Sequence, residues 1–316
     1  MPRFEPYRAL RYAPGTDLDL VVAPPYDVLS DTDVAELRAR SPHNIVHVDV
    51  PCAPAGQDRY AVAAGVLRTW VDAGVLVRDL VASLTVYRMR FTDEAGRERA
   101  LVGVLGALEV VDEGAGGVLP HERVTPKAST DRLDLTRATR ANLSPVWGLS
   151  LASGLTALLA EPAEPVGALV VEGVEHSVER LTDPDRISAV GAVVGSDDVL
   201  IADGHHRYGV ARAYRDELRT ASRPQAEREA AELTLACVGE LTPDQLSIDA
   251  VHRLVTGIPG EQVDRLLARD FDTSPAPEPT PQLLADMTRL GRLVVLDADG
   301  RARWLAPRPG AFDGIR

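Results

Sequence analysis

The chain has 316 residues, 45% of them hydrophobic, which rules against a disordered protein and leaves room for one large or two ordinary globular domains. With 34 Lys and Arg against 47 Asp and Glu the formal charge is -13, so duplex DNA, RNA and anionic membrane surfaces are repelled at long range and no nucleic-acid partner is expected. A single small anion escapes that exclusion, because a helix end and a few arginines suffice to hold one phosphate.

The opening MPRFEPYRALRY has no apolar core of signal-peptide length, and no apolar run reaches about 18 residues, so the sequence reads as cytoplasmic, with no membrane partner. LDLVVAPPYDVLSDTDVAELRAR predicts a strand, a Pro-Pro turn and a helix, with Ser30 as N-cap, Asp31 and Asp33 in its first turn and Pro42 as its stop. NIVHVDV reads as a second short strand, with His43, Asn44 and His47 as local turn and strand residues. AVAAGVLRTWVDAGVL has helical spacing and places Gly74 just past the helix end. Cys52 and Cys237 form no C-x-x-C pair and are expected to be two buried thiols.

ASLTVYRMRF and RALVGVLGALEV predict a hairpin, and GALVVEGVEHSVERL a second one, with His176 on its surface. DPDRISAVGAVVG predicts a helix capped by Asp183, with Pro184 at its first position. DVLIAD is strand-like and runs straight into a helix; ELTLACVGEL is a strand, EQVDRLLARDF a helix, SPAPEPTPQ a Pro-rich linker and RLVVLDADGRARWLA a last hairpin. The expected fold class is therefore mixed α/β (α+β), with hairpins and packed helices around a mixed sheet. Two lobes, 1–150 and 151–316, are expected to share one site.

The densest chemistry lies in VLIADGHHRYGVARAY. A strand that ends in Asp203 and Gly204 and turns into a helix presents unpaired backbone N–H groups, equivalent to about half a positive charge. Gly204 permits a tight turn, and Arg207 adds a bidentate contact to phosphate or carboxylate. His205 and His206 can donate to the same anion or move a proton, and Asp203 can bind Mg²⁺ or accept a hydroxyl proton. Adjacent histidines suit a zinc site poorly. Tyr208 and Tyr214 are the aromatic residues beside this junction, Tyr214 on the apolar face with Val210, Ala211 and Leu218.

Two other segments carry candidate groups. After the glycine-rich EGAGG, HERVTPK offers His121, Glu122, Arg123 and Lys127, and DRLDLTRATRAN adds Asp131, Arg132, Arg137, Arg140 and Asn142. Glu122 would serve as general base and the arginines as a phosphate clamp, the parts that phosphoryl transfer needs. No second histidine follows His121 at the metalloprotease spacing. APPYDVLS fixes Tyr26 and Asp27 beside a helix start, and VHRLV places His252 and Arg253 on what reads as a half-buried strand.

APPYDVLS, SPHNIVHVD, HERVTPKASTDRLDLTRATRANLSPVW, IADGHHRY and VHRLV together resemble the bacterial and archaeal family known as domain of unknown function 1015, over residues 1 to about 260. Members of that family generally continue beyond the position of Arg316. The strand, Asp-Gly-x-His-Arg and helix of residues 180–220 are also similar to the nucleotide-binding motif of the ParB and sulfiredoxin superfamily, which includes free serine kinases. That resemblance implies Gly204, His206 and Arg207 as phosphate contacts with Asp203 and His205 beside them, and ATP or ADP with Mg²⁺ as cofactors. The expectation is a nucleotide-dependent phosphotransferase acting on a small serine-like hydroxyl metabolite. In it, Glu122, Asp203 and His205 are catalytic, Arg123, Lys127 and Arg132 bind the nucleotide, and Tyr26, Asp27, Asn142, His252 and Arg253 bind the substrate. A nucleotide or metabolite sensor without turnover is the alternative, and a metal-dependent hydrolase the third reading.

Overall fold

The computed structural model describes residues 1–93, 96–120, 126–246 and 252–311, and the side chains of all of these except 126–129. The chain forms two compact units, Met1–Phe91 with Glu98–Leu246, and Thr92–Arg97 with Ser247–Arg316. The boundary expected near residue 150 does not coincide with these units, because strands from both sides of it lie in a single sheet.

The first unit opens with β1 (Phe4–Glu5) and β2 (Leu10–Tyr12), then α1 (Leu18–Val21), α2 (Asp31–Arg40), α3 (Val46–Asp49) and α4 (Arg59–Asp72). Ser30 caps α2 as expected, its hydroxyl accepting from Asp33 N while the Asp33 carboxylate accepts from Ser30 N. LDLVV and NIVHVDV, expected as strands, are short helices. Asp17 caps α1 by accepting from Asp19 N. The fully buried Asn44 donates its amide to the carbonyls of Leu20 and Val22 and accepts from Val46 N, so these apolar runs have their polar backbone satisfied without a ladder. His43 and His47 pack edge-on against Trp70.

Next come β3 (Leu76–Arg78), β4 (Leu84–Thr92), β5 (Glu98–Glu109), β6 (Val118–Leu119), α5 (Pro126–Thr139), β7 (Val146–Ser150) and α6 (Leu155–Ala160). β8 (Glu164–Val171) and β9 (Val174–Leu181) form the second expected hairpin, and α7 (Pro184–Val194) begins after Asp183, whose side chain accepts from Arg186 N. His176 is half-buried on this hairpin and stacks on Tyr87, whose hydroxyl lies 2.6 Å from His176 Nδ1. Then follow β10 (Val199–Asp203), α8 (His205–Thr220), α9 (Gln225–Ala231) and β11 (Leu233–Glu240).

These strands build one mixed sheet in the order β6-β10-β7-β11-β5-β4-β9-β8, with β1 on β5. β11 is the keystone: it runs antiparallel to β5 and parallel to β7. Its alternate residues Ala236 and Val238 join Val104, Leu108, Val146 and Ile201 in a core covered by Leu155 and Leu159 of α6 and Val190 and Val194 of α7. A second cluster, Val48, Leu67, Trp70 and Leu135, fastens α3, α4 and α5 to one another. Arg215 on α8 is 1% exposed and donates to Val110 O, Asp112 and Asp216. Cys237 lies in β11 with its thiol pushed up to about 12 by burial, whereas Cys52 is exposed, contrary to the expected pair of buried thiols.

The second unit contains α10 (Gly260–Asp270), β12 (Phe271–Pro275), α11 (Pro281–Leu290), β13 (Leu293–Leu296) and β14 (Ala302–Pro307), with strand order β12-β14-β13. SPAPEPTPQ is only partly a linker, since it ends β12 and supplies Pro281 to the first turn of α11. Leu283, Trp304 and Leu305 are buried. No described helix is long and apolar enough to cross a membrane.

Candidate functional site

The strand-to-helix junction forms as the sequence dictates. β10 pairs with β7 in a register that shifts between Ile201 and Asp203, bending the strand end. Gly204 then turns the chain at φ +87° and α8 starts at His205 with no side chain capping it. Arg207 folds back across the turn: Nη2 donates to Asp203 Oδ2 at 2.6 Å and Nη1 to the carbonyl of Pro145. A Cβ on residue 204 would lie 3.1 Å from Cζ and Nε of Arg207 and 3.3 Å from Cα of Val146, so glycine serves both the backbone angle and the seat of the guanidinium.

Beside this junction is an open cavity of about 240 Å³ whose polar wall includes Tyr26, Asp49, Arg132, Asn142, Arg207 and Tyr214. Arg132 comes from α5. Its guanidinium carbon stands 4.0 Å from the centroid of the Tyr26 ring, an arrangement worth about 1 kcal/mol, and Nη1 donates to Asp49 Oδ1 at 3.0 Å. Nε donates to Asp131, which also accepts from Tyr60 and Arg59, so Arg132 is held from three sides with its side chain 11% exposed. Burial holds the Asp49 carboxyl above its ordinary range, outweighing the opposing pull of Arg132 and Arg207. Burial likewise raises the Tyr26 phenol against the influence of Arg132.

The far wall combines Leu135, Val210 and Leu233 with Asn142, whose Oδ1 accepts from the buried Thr234 hydroxyl. Arg140, at φ +53°, pairs with Glu227 at 3.1 Å. Three arginines against two carboxylates leave the wall with an excess of positive charge inside a protein of formal charge -13. The arrangement can hold an anion next to an apolar or planar group.

Of the residues expected in the site, Tyr26, Arg132, Asn142 and Arg207 line this one cavity, and Asp203 and Gly204 reach it through Arg207. Asp27 is exposed nearby and acts electrostatically on both Tyr26 and Asp49. His205 is buried, 6% exposed, and the described cavity wall includes neither it nor His206. The first turn of α8 places His205 among the buried residues of that helix. Tyr208 is core, its hydroxyl donating to Glu109 O and accepting from Val111 N, whereas Tyr214, read on the apolar face of the helix, lines the cavity together with Tyr26.

His252 and Arg253 lie on an exposed irregular segment rather than a half-buried strand. His121, Glu122 and Arg123 fall outside the described residues, as does the side chain of Lys127. Arg137 is occupied on the surface by Asp134 and Glu217. Asp49, Thr234 and Glu227 were not expected. For Asp49 the available signal was a lone carboxylate in the apolar run IVHVDV.

The family model described as protein of unknown function (DUF1015) matches residues 4–309. No curated protein and no solved structure matches the chain.

Proposed function

We propose that this chain, which belongs to the DUF1015 family of proteins of unknown function, binds a nucleotide phosphate in the Arg132 and Arg207 cavity and transfers a phosphoryl group to a small, serine-like hydroxyl metabolite. The observation that supports the reading best is the presence of two nearly buried guanidinium groups on one cavity wall beside the uncapped start of α8. Two hydrogen bonds engage Arg207 among the described residues, which leaves most of its five N–H groups for a phosphate. Arg132 supplies a second fixed charge, and fixed charges stabilise a transferring phosphoryl group without reorganising. Asn142 and Tyr214 offer hydrogen bonding and an aromatic face to the remainder of the ligand.

Asp203 suits a supporting role toward Mg²⁺: its side chain is 62% exposed and only one carboxylate oxygen is bonded to Arg207. A magnesium ion there would neutralise phosphate charge. Among the described residues no group of three His, Cys, Asp or Glu lends support to the hydrolase reading.

A sensor without turnover remains the second reading, favoured by one observation. Both carboxylates on the cavity wall, Asp49 and Glu227, are already paired with arginines, as suits a binding site better than a free general base. Thermal stabilisation against a panel of nucleotides, with and without Mg²⁺, tests the shared premise, because a ligand of the folded state raises Tm according to its affinity. A shift lost in Arg207→Ala supports the site; no shift with any nucleotide removes it. Nucleotide consumption over a metabolite panel separates transfer from sensing.

A further inference from the structure

We infer that the anion held by Arg132 and Arg207 shares a proton with Asp49, so that the cavity selects a protonatable oxyanion such as a phosphate over an aprotic one such as sulfate. The inference rests on the reading of the cavity as a phosphate site and names the residue that sets its selectivity.

Asp49 is 8% exposed and stands on the cavity wall. Its Oδ1 accepts from Arg132 at 3.0 Å, and among the described residues its Oδ2 accepts no hydrogen bond. The groups that act on it include Arg132 of α5, Arg207 of α8, and Tyr26 and Asp27 from the segment before α2. Asp131 lies behind Arg132, and the α4 groups Arg59 and Tyr60 point to Asp131 rather than to Asp49.

The two guanidinium groups draw an anion into the same space that the carboxylate faces. An ionised carboxylate is acceptor-only, and so is a fully deprotonated oxyanion, so an oxygen of the anion meeting Oδ2 finds a lone pair where a donor is needed. Two like charges sharing one site resolve the conflict by taking up a proton, as paired carboxylates do. A phosphate supplies that proton readily, since the second ionisation of a phosphate ester lies at about pH 6 and the inorganic ion keeps a P–OH group at neutral pH. Sulfate has none, so its binding requires Asp49 itself to be protonated. Burial of Asp49 makes that protonation easier. Selectivity is therefore expected to narrow as pH falls.

Calorimetric titration of the full chain with inorganic phosphate and with sodium sulfate, at pH 7.5 and equal ionic strength, tests this. Phosphate is expected to bind at least about tenfold more tightly, the scale of a lost charge-assisted hydrogen bond. Asp49→Asn, which can turn an N–H toward the anion, is expected to bring the two affinities together. Wild-type protein that binds both anions alike overturns the role of Asp49 alone, and so does a variant that keeps the wild-type selectivity. Wild-type protein that binds neither anion nor any nucleotide overturns the phosphate reading, and this inference with it. The wild-type comparison decides the matter even where the variant does not fold.

Discussion

Replacing Gly204 with alanine perturbs the site at the point where backbone and guanidinium meet. At φ +87° an alanine costs about 1–2 kcal/mol in backbone conformation alone. The added methyl also lies 3.1 Å from Cζ and Nε of Arg207, so the guanidinium must shift by a few tenths of an ångström from its bonds to Asp203 and Pro145. For a unit of this size each kcal/mol lowers Tm by about 2–4 °C, giving an expected fall of about 2–8 °C in a thermal melt. Gly56 is the internal control, because it has nearly the same angle, φ +84°, with nothing within 4 Å of an added Cβ. Gly56→Ala should show the conformational cost without any loss of ligand binding, while Gly204→Ala should in addition weaken phosphate or nucleotide binding by about tenfold. A Gly204→Ala protein that keeps the full ligand-induced shift would refute the claim that this glycine seats Arg207.

Burial lowers the His176 pKa below its ordinary value, so the neutral ring against Tyr87 stabilises the fold above about pH 6.5, and that contribution is lost as pH falls through the lowered value. Denaturant titrations across pH should show this slope, and His176→Gln should flatten it. Of the two cysteines, exposed Cys52 should react with a thiol reagent in native protein, while Cys237, held up to about 12, should react only after unfolding; two fast thiols would contradict the packing of β11. Arg215→Ala should cost about 3 kcal/mol in chemical denaturation, since it empties a buried site and strips Val110 O of its donor. An effect below about 0.5 kcal/mol, the range of ordinary surface substitutions, would contradict that burial.

Several elements were legible because local chemistry and tertiary structure agree on them. Asp183 and Pro184 start α7, Ser30 starts α2, and the alternating run from Gly167 to Leu181 makes the β8 and β9 hairpin. The junction at Gly204 was legible for the same reason, since strand, glycine and helix each have their own signature. LDLVV and NIVHVDV were not, because a short apolar run suits a buried strand or a buried helical turn equally. The decision between them came from Asn44, whose amide bonds backbone groups more than twenty residues away. Asp49 was missed with the same segment: read as part of a strand, it had no partner, and its relation to Arg132 is created only when α3 and α5 meet. Two adjacent histidines are the conspicuous chemistry of the junction in sequence, yet the turn of the helix buries His205 and places Arg207 on the cavity wall.

The position of β11 between β5 and β7 has a consequence for synthesis. When β5 is made, its future neighbour on that side is still more than a hundred residues downstream in the message, an interval on the order of ten seconds at ordinary elongation rates. Until Leu233–Glu240 emerges, the nascent β4 and β5 hairpin has an unpaired edge that includes Val104 and Leu108, both destined for zero exposure. A chain that stalls in that interval offers a long apolar edge to its neighbours, so its yield in the cell should depend on how quickly translation passes residue 240 and on what shields the edge meanwhile.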